Sequence, residues 1–189
     1  FCKKPSFAKA SAGKRETRDK RQTFDFPKAI DRAVFPGLQG GPHLNQIAAM
    51  AEAMYEAKSP AFKRYAKQVI RNAQTLAVEL KKLGWRLVSG GTDTHLLLVD
   101  TARENLGGKT ASDLLEAQGI IVNKNTIPFD TRQPMDPSGI RLGTPALTTR
   151  GMREGEMRAI ARLVDGVLRG RKNVKKDVKK LCARFPIKV

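Results

Sequence analysis

The segment Phe35-Pro36-Gly37-Leu38-Gln39-Gly40-Gly41-Pro42 places a polar side chain beside two adjacent glycines. Adjacent glycines let the backbone come close to a ligand, and exposed amides in such a turn form a nest that binds anions. Gln39, Gly40 and Gly41 are therefore candidate anion-binding residues. The alternative is a Gly/Pro turn that only connects two helices.

Arg141 lies in an apolar stretch between two glycines, in Ser138-Gly139-Ile140-Arg141-Leu142-Gly143-Thr144-Pro145. A guanidinium in that position is hard to explain as a solvated surface charge. It can bind a carboxylate or phosphate through two parallel hydrogen bonds. We predict that Arg141 clamps an anionic group, the alternative being a structural arginine paired with an internal aspartate.

A third polar segment, Val122-Asn123-Lys124-Asn125-Thr126-Ile127-Pro128, follows a predicted buried strand. Its two asparagines and its lysine either face a ligand or form an Asx turn. The sequence alone leaves both readings open.

No catalytic dyad and no metal site are predicted. His43 and His95 lack a Ser or Cys partner, and His95 heads an apolar strand, where a core histidine is expected. Cys2 and Cys182 stand at opposite ends of the chain, which excludes a disulfide framework and a clustered zinc motif. This cysteine usage suits a reducing cytosol, so we expect a cytoplasmic protein.

The elements that position these residues belong to an ordinary globular chain with basic ends. Of 189 residues, 40% are hydrophobic and 29% are charged. The net charge is +18, of which residues 1–28 carry +6 and residues 168–189 carry +8. Because few aromatic residues accompany the basic ones, we expect weak, salt-sensitive attraction to polyanions rather than specific nucleic-acid binding. No apolar run is long enough to cross a bilayer, so no membrane association is expected.

Hydrophobic periodicity predicts helices first and then short strands mixed with helices. This order indicates an α+β fold in which a small sheet is covered by helices. Ser59-Pro60 supplies a cap and a first-turn proline for the longest helix. The predicted helices are 27–34, 44–55, 60–83, 109–118, 153–169 and 172–184, and the predicted strands are 85–89, 94–100, 120–122 and 138–143.

Four segments together resemble the serine hydroxymethyltransferase family. They are the glycine-rich run Phe35–His43, Leu87-Val88-Ser89-Gly90-Gly91-Thr92-Asp93-Thr94-His95-Leu96, the run Val122–Pro128, and Ser138–Pro145 with Thr148–Gly151. The ending, residues 178–186, is similar to the family's C-terminus as well. The resemblance runs from about Phe26 to Phe185, in the family's order and spacing.

The resemblance implies a fold-type-I, aminotransferase-like enzyme that uses pyridoxal phosphate, in one-carbon and glycine/serine metabolism. Such an enzyme converts serine and tetrahydrofolate to glycine and 5,10-methylenetetrahydrofolate and works as a dimer with shared active sites. By the matching motifs, Arg141 would bind the substrate carboxylate, and Gln39–Gly41 would contact the phosphate of the cofactor in the neighbouring subunit. The resemblance places Asn125, Gln133, Pro134 and Met135 at the folate, although only Pro134 matches the family's usual Ser-Pro-Phe there.

The family's Schiff-base lysine, in a Thr-His-Lys run before the glycine-rich motif, has no counterpart here. We therefore expect no catalytic residue in this chain and no activity when it is alone. The expected division is a basic, disordered segment 1–25, a helical link 26–84 from a missing large domain, and a small α+β domain 85–189. The chain would be an incomplete gene product or one half of a split enzyme that pairs with an N-terminal half. The alternative from another class is a non-catalytic basic module that binds nucleic acid or an acidic partner.

Overall fold

The computed structural model describes residues 25–187, in two compact units that meet between Ala49 and Met50. The two units are described separately below. The expectation of disorder for segment 1–25 falls outside the described residues, apart from Asp25.

The first unit holds the glycine-rich segment between two helices. Helix α1, Phe26–Arg32, begins where the Asp25 carboxylate accepts a hydrogen bond from the backbone amide of Lys28, at 3.4 Å. An irregular turn, Ala33–Leu38, follows because Pro36 interrupts the helical backbone. Helix α2, Leu44–Ala57, then runs into the second unit. Both helices were predicted, with ends that differ by one to two residues.

The second unit begins with the end of α2 and continues with the longest helix, α3, Pro60–Lys82. The Ser59 hydroxyl accepts a hydrogen bond from the backbone amide of Phe62 at 3.1 Å, which confirms the predicted cap. The helix ends before Gly84, whose φ of +93° belongs to the left-handed region that glycine tolerates best.

A four-stranded antiparallel sheet forms the other layer of this unit. Its strands are β1, Arg86–Leu87, β2, Leu96–Asp100, β3, Asn123–Asn125, and β4, Gly139–Gly143, in the spatial order β1-β2-β4-β3. The predicted strands at 85–89, 94–100 and 138–143 are confirmed, although they are shorter than predicted.

The predicted strand at 120–122 is wrong, because the paired residues are the polar ones that follow it. β3 is an edge strand bonded only to β4, so its side chains need not be apolar. Ile121, by contrast, is 84% exposed in the connection from α4.

Helices cover one face of the sheet, as the α+β assignment requires. The remaining helices are α4, Gly108–Ala117, α5, Pro145–Thr149, α6, Glu154–Leu168, and α7, Val174–Arg184. The short helix α5 was not predicted. The core consists of one sheet face and the apolar stripes of the helices, and its largest buried side chains include Leu76, Leu80, Leu97, Val99, Leu115, Ile140, Met157 and Val164.

Helix α3 belongs to this core and is not a link that leads into it. Leu76, Ala77 and Leu80 are buried in the same cluster as the sheet residues Leu97 and Ile140. The two compact units divide between Ala49 and Met50, and the expected division into 26–84 and 85–189 stays a prediction. Within residues 25–187, no helix is both long and apolar enough to cross a membrane.

Candidate functional site

Arg141 lies at the centre of the open face of the sheet. In antiparallel pairs, directly opposite residues point to the same face. Arg141 is opposite Leu98 on β2 and Asn123 on β3, whereas its neighbours along the strand, Ile140 and Leu142, point into the core. The side chain of Arg141 is exposed. The guanidinium is therefore accessible to a ligand on the face of the sheet that the helices do not cover.

The predicted alternative, an arginine held by an internal aspartate, does not describe Arg141. The buried carboxylate on the same face belongs to Asp100, which is 4% exposed and is paired with Arg86 at 2.5 Å. Asp100 also accepts a hydrogen bond from the backbone amide of Ala102 at 3.1 Å. Among residues 25–187, the Arg141 side chain forms no ion pair or hydrogen bond. The sheet thus has one structural arginine, Arg86, and one that is free to bind.

Two glycines, Gly139 and Gly143, flank Arg141 on the same face of the sheet. At Gly139 a Cβ would lie 2.8 Å from the Val99 carbonyl oxygen and 2.8 Å from Ile127 Cγ2, so close packing also requires this glycine. At Gly143 a Cβ would make only ordinary contacts, the nearest at 3.7 Å. Gly143 is therefore not demanded by packing, and its absent side chain leaves room for a ligand.

Asn125 and Lys124 lie on the edge strand next to β4. The Asn125 side-chain amide donates to the carbonyl of Thr126 at 2.7 Å, which is a local bond but not the Asx turn, in which the side-chain oxygen would accept from an amide two residues on. Its position opposite Gly139 nevertheless puts it on the same face as Arg141. Lys124 pairs in register with Ile140, and its ammonium donates to the carbonyl of Met135 at 3.0 Å. Lys124 therefore ties the following loop back to the sheet.

The loop 126–137 carries the predicted folate residues Gln133, Pro134 and Met135, all of which are exposed. It is organised by Asp130, which sequence reasoning missed. The Asp130 carboxylate accepts hydrogen bonds from the Ser138 hydroxyl at 2.6 Å and from backbone amides of Ser138, Arg132 and Ile127 at 2.9, 2.9 and 3.2 Å. The only signal for it in the sequence was an Asp in a turn after a proline.

The electrostatics of Asp130 agree with this organising role. Desolvation by itself would raise the pKa of the carboxyl, but the hydrogen bonds from Ser138, Arg132 and Ile127 outweigh it. The pKa of Asp130 is therefore held well below its usual range, and the group stays ionised. A second carboxylate, Asp136, is paired with Arg132 and accepts from the amide of Lys109 at 3.3 Å, so the loop is also attached to α4.

In the first unit, Gln39, Gly40 and Gly41 are exposed. The amides of Gly40 and Gly41 donate to none of the residues 25–187, and a Cβ at either position would meet no atom within 4 Å. Neither glycine has a φ in the left-handed region, so the alternating backbone of an anion nest is not formed. The free amides and the open space, rather than a special turn, are what this segment offers a ligand.

The side chains of the two histidines, His43 and His95, are both exposed. His95 was expected in the core, and this prediction is wrong because the residue precedes β2 and its side chain is exposed. Its backbone carbonyl accepts a hydrogen bond from the Thr144 amide at 3.0 Å. No group of three or more metal-ligating side chains occurs in the described part of the chain.

In a comparison with models of protein families, residues 7–164 match the family described as Serine hydroxymethyltransferase. The matched range covers the glycine-rich segment, the sheet and the loop 126–137. It begins inside the basic segment 1–25 and ends within α6, so the similarity of residues 178–186 to the family's C-terminus stays a prediction.

Proposed function

Because the chain belongs to the serine hydroxymethyltransferase family, we propose that it supplies ligand contacts to an enzyme of that activity. The reaction converts serine and tetrahydrofolate to glycine and 5,10-methylenetetrahydrofolate. In the proposed assignment, Arg141 binds the amino-acid carboxylate, Gln39–Gly41 contact the cofactor phosphate, and the face and loop beside Asn125 meet the folate. We further propose that this takes place in the cytoplasm.

The unpaired guanidinium of Arg141 is the observation that carries the proposal. A free arginine on a central strand, beside Gly139 and Gly143, can present its planar fork to a carboxylate without first breaking an internal ion pair. The second arginine on this face, Arg86, is committed to Asp100 and cannot do the same. Two-point binding would also orient the amino acid, which is what a reaction at its α-carbon requires.

The residues around Gly40 fit the phosphate end of pyridoxal phosphate. Their free amides can donate to phosphate oxygens, and the absent side chains let the phosphate approach. When bound, this cofactor withdraws electrons from the bond that is cleaved at the substrate α-carbon. By the family assignment, the loop would serve the cofactor of a neighbouring subunit, which favours a homodimer.

The folate contacts are proposed from position. Asn125 lies on the same sheet face as Arg141, and the exposed residues Gln133, Pro134 and Met135 are held near β3 by the bond between Lys124 and Met135. Asp130 and Lys124 act here as positioning residues, since they hold the loop and leave its outer side chains free.

The 189 residues contain no Thr-His-Lys run to attach the cofactor covalently. We therefore propose that the chain does not turn over substrate alone and that activity requires a lysine-bearing part, as in a split enzyme. A non-catalytic module, by contrast, would stay inactive when a lysine-bearing part is added.

The test is complementation with a separately expressed N-terminal half of a related serine hydroxymethyltransferase. Serine-dependent formation of methylenetetrahydrofolate should appear only when the two parts are mixed. Replacing Arg141 by Lys removes the two-point fork, which should weaken serine binding by about 2–3 kcal/mol, or raise KM roughly 30- to 150-fold. The matched control is Arg103→Lys, because Arg103 is an exposed arginine with no described partner.

Thermal unfolding of the variants distinguishes a ligand-binding Arg141 from a structural Arg141. We expect Arg141→Lys to unfold within about 0.5 kcal/mol of the parent chain, since an exposed, unpaired side chain is lost. A large loss of stability with unchanged KM would overturn the proposal. So would turnover by the chain without the added half.

A further inference from the structure

A row of cations runs along one face of α3. Arg64, Lys67 and Arg71 are spaced i, i+3 and i+7, which puts them on the same side of the helix, about 4.5 and 6 Å apart along its axis. All three are exposed, and none forms an ion pair with another residue in 25–187. Between Lys58 and Val78 the sequence contains no carboxylate at all.

A fourth cation, Arg153, lies immediately before α6 and is exposed. Like charges at i, i+3 and i, i+4 spacing repel one another, so the row on α3 does not stabilise its own helix.

The four cations line one cleft of about 500 Å³. This volume is within the range of small-molecule sites. The wall of the cleft shares no residue with the face around Arg141. The lining residues are Arg64, Tyr65, Lys67, Gln68, Arg71, Thr148, Gly151, Met152 and Arg153.

The wall of the cleft is well supported from below. The buried side chain of Asn72 accepts a hydrogen bond from Gln68 at 3.0 Å and donates to the Thr148 hydroxyl at 2.9 Å. Tyr65 is fixed by hydrogen bonds to Thr149 at 3.1 Å and to the Pro145 carbonyl at 3.3 Å. The cations therefore project from a rigid frame.

One carboxylate, Glu154, lies in this positive field. The pKa of Glu154 is lowered, first by a bond from its own backbone amide, then by a bond from Gln68, and further by the charges of Arg71 and Arg153. One carboxylate cannot balance four cations. In the groove between α6 and α7, by comparison, Arg171 is already paired with Asp177 at 2.9 Å and Arg184 with Glu156 at 3.6 Å.

We propose that the cleft between α3 and the start of α6 is a second ligand site, which binds a small molecule carrying two or more oxyanion groups, carboxylate or phosphate. Arg64, Lys67, Arg71 and Arg153 provide the charge and the hydrogen-bond donors. The proposal does not depend on the function assigned to Arg141.

The test is calorimetric titration of the full chain with citrate and, separately, with pyrophosphate, both at ionic strength held constant with NaCl. We expect saturable binding of one ligand per chain for at least one of the two anions. The tighter of the two identifies the preferred oxyanion. The variant R64Q/R71Q should bind about tenfold more weakly, since each exposed cation contributes up to a few-fold.

Two further variants separate a site from general attraction to a basic chain. K176Q/K179Q removes the same two charges from α7, where both lysines are exposed and unpaired, and should leave the affinity unchanged. E154Q removes the single carboxylate and should tighten binding severalfold. Absence of saturable binding for both anions, equal effects of R64Q/R71Q and K176Q/K179Q, or no tightening in E154Q would each overturn the proposal.

Discussion

Replacing Asn72 by leucine removes the polar centre that joins α3 to the segment after β4. Asn72 is fully buried, and its amide donates to the Thr148 hydroxyl at 2.9 Å and to the Met152 carbonyl at 3.0 Å. The Thr148 hydroxyl in turn donates to the Thr144 carbonyl at 2.8 Å. Thr144 is also buried and donates to the carbonyl of Val69 on α3 at 2.8 Å. The network therefore fixes the end of the strand that carries Arg141.

The expected loss of stability in Asn72→Leu follows from the two buried hydrogen-bond acceptors that lose their donor. Leucine has the branching and the number of heavy atoms of asparagine but a larger volume, so no cavity forms and some overpacking is added. The Met152 carbonyl and the Thr148 oxygen would each be left without their donor, at about 1–3 kcal/mol for a buried group. We expect a loss of about 2–6 kcal/mol in the free energy of unfolding, or roughly 5–20 °C in Tm for a domain of this size.

Urea unfolding followed by the fluorescence of Trp85, the single tryptophan, measures this loss directly. The control is Gln74→Leu, an exposed position on the same helix, where we expect a change within about 0.5 kcal/mol. A loss below about 1 kcal/mol for Asn72→Leu, or one equal to that of the control, would refute the reasoning that the network holds the two segments together.

Two other predictions concern the loop and the packing beside it. Because the pKa of Asp130 is lowered by folding, its contribution is present above the unfolded value of about 4 and is lost as the pH falls through the folded pKa. Hydrogen exchange at the amides of Ile127, Arg132 and Ser138 should therefore be slow at neutral pH and lose protection in strong acid, whereas Asp130→Asn should lose protection at every pH; unchanged protection in the variant would contradict this. Gly108→Ala would bring a Cβ within about 3 Å of the backbone oxygens of Gly139 and Pro137, so we expect urea unfolding to show a loss of about 1–3 kcal/mol, and a neutral result would mean that α4 shifts freely.

Local rules were enough to predict the helices other than the short α5. Ser59 before Pro60 fixed the start of α3, and Gly84 and Gly119, both with positive φ, follow the ends of α3 and α4. These capping signals act within a few residues, so they can be recognised in the sequence before the rest of the fold is known. The same reasoning failed at β3, since an edge strand of Asn and Lys depends on its partner β4 and not on its own hydrophobicity.

The candidate site could be predicted only as far as the identity of its residues. The apolar context of Arg141 showed that it was unusual, but the 18 acidic residues left its partner open. The register answered the question, because it sets Asp100 opposite Arg86 and Gly139 and leaves Arg141 opposite Leu98 and Asn123. The organising role of Asp130 was equally invisible, since it depends on a bond to Ser138 eight residues away.

An unpaired cation is not by itself a sign of function, because the lysines of α7 are also unpaired and exposed. Within residues 25–187 every buried side-chain nitrogen and oxygen has a hydrogen-bond partner. The fold therefore contains no buried, unpaired polar group among these residues that would need a ligand. What separates Arg141 is its place on a central strand beside Gly139 and Gly143, where a free guanidinium serves no packing need. What separates the row on α3 is that its like charges are i, i+3 and i, i+4 neighbours that line a cleft, and that Glu154 is the one carboxylate in their field. A bound anion would pair with the guanidinium in the first arrangement and reduce the repulsion between neighbouring cations in the second.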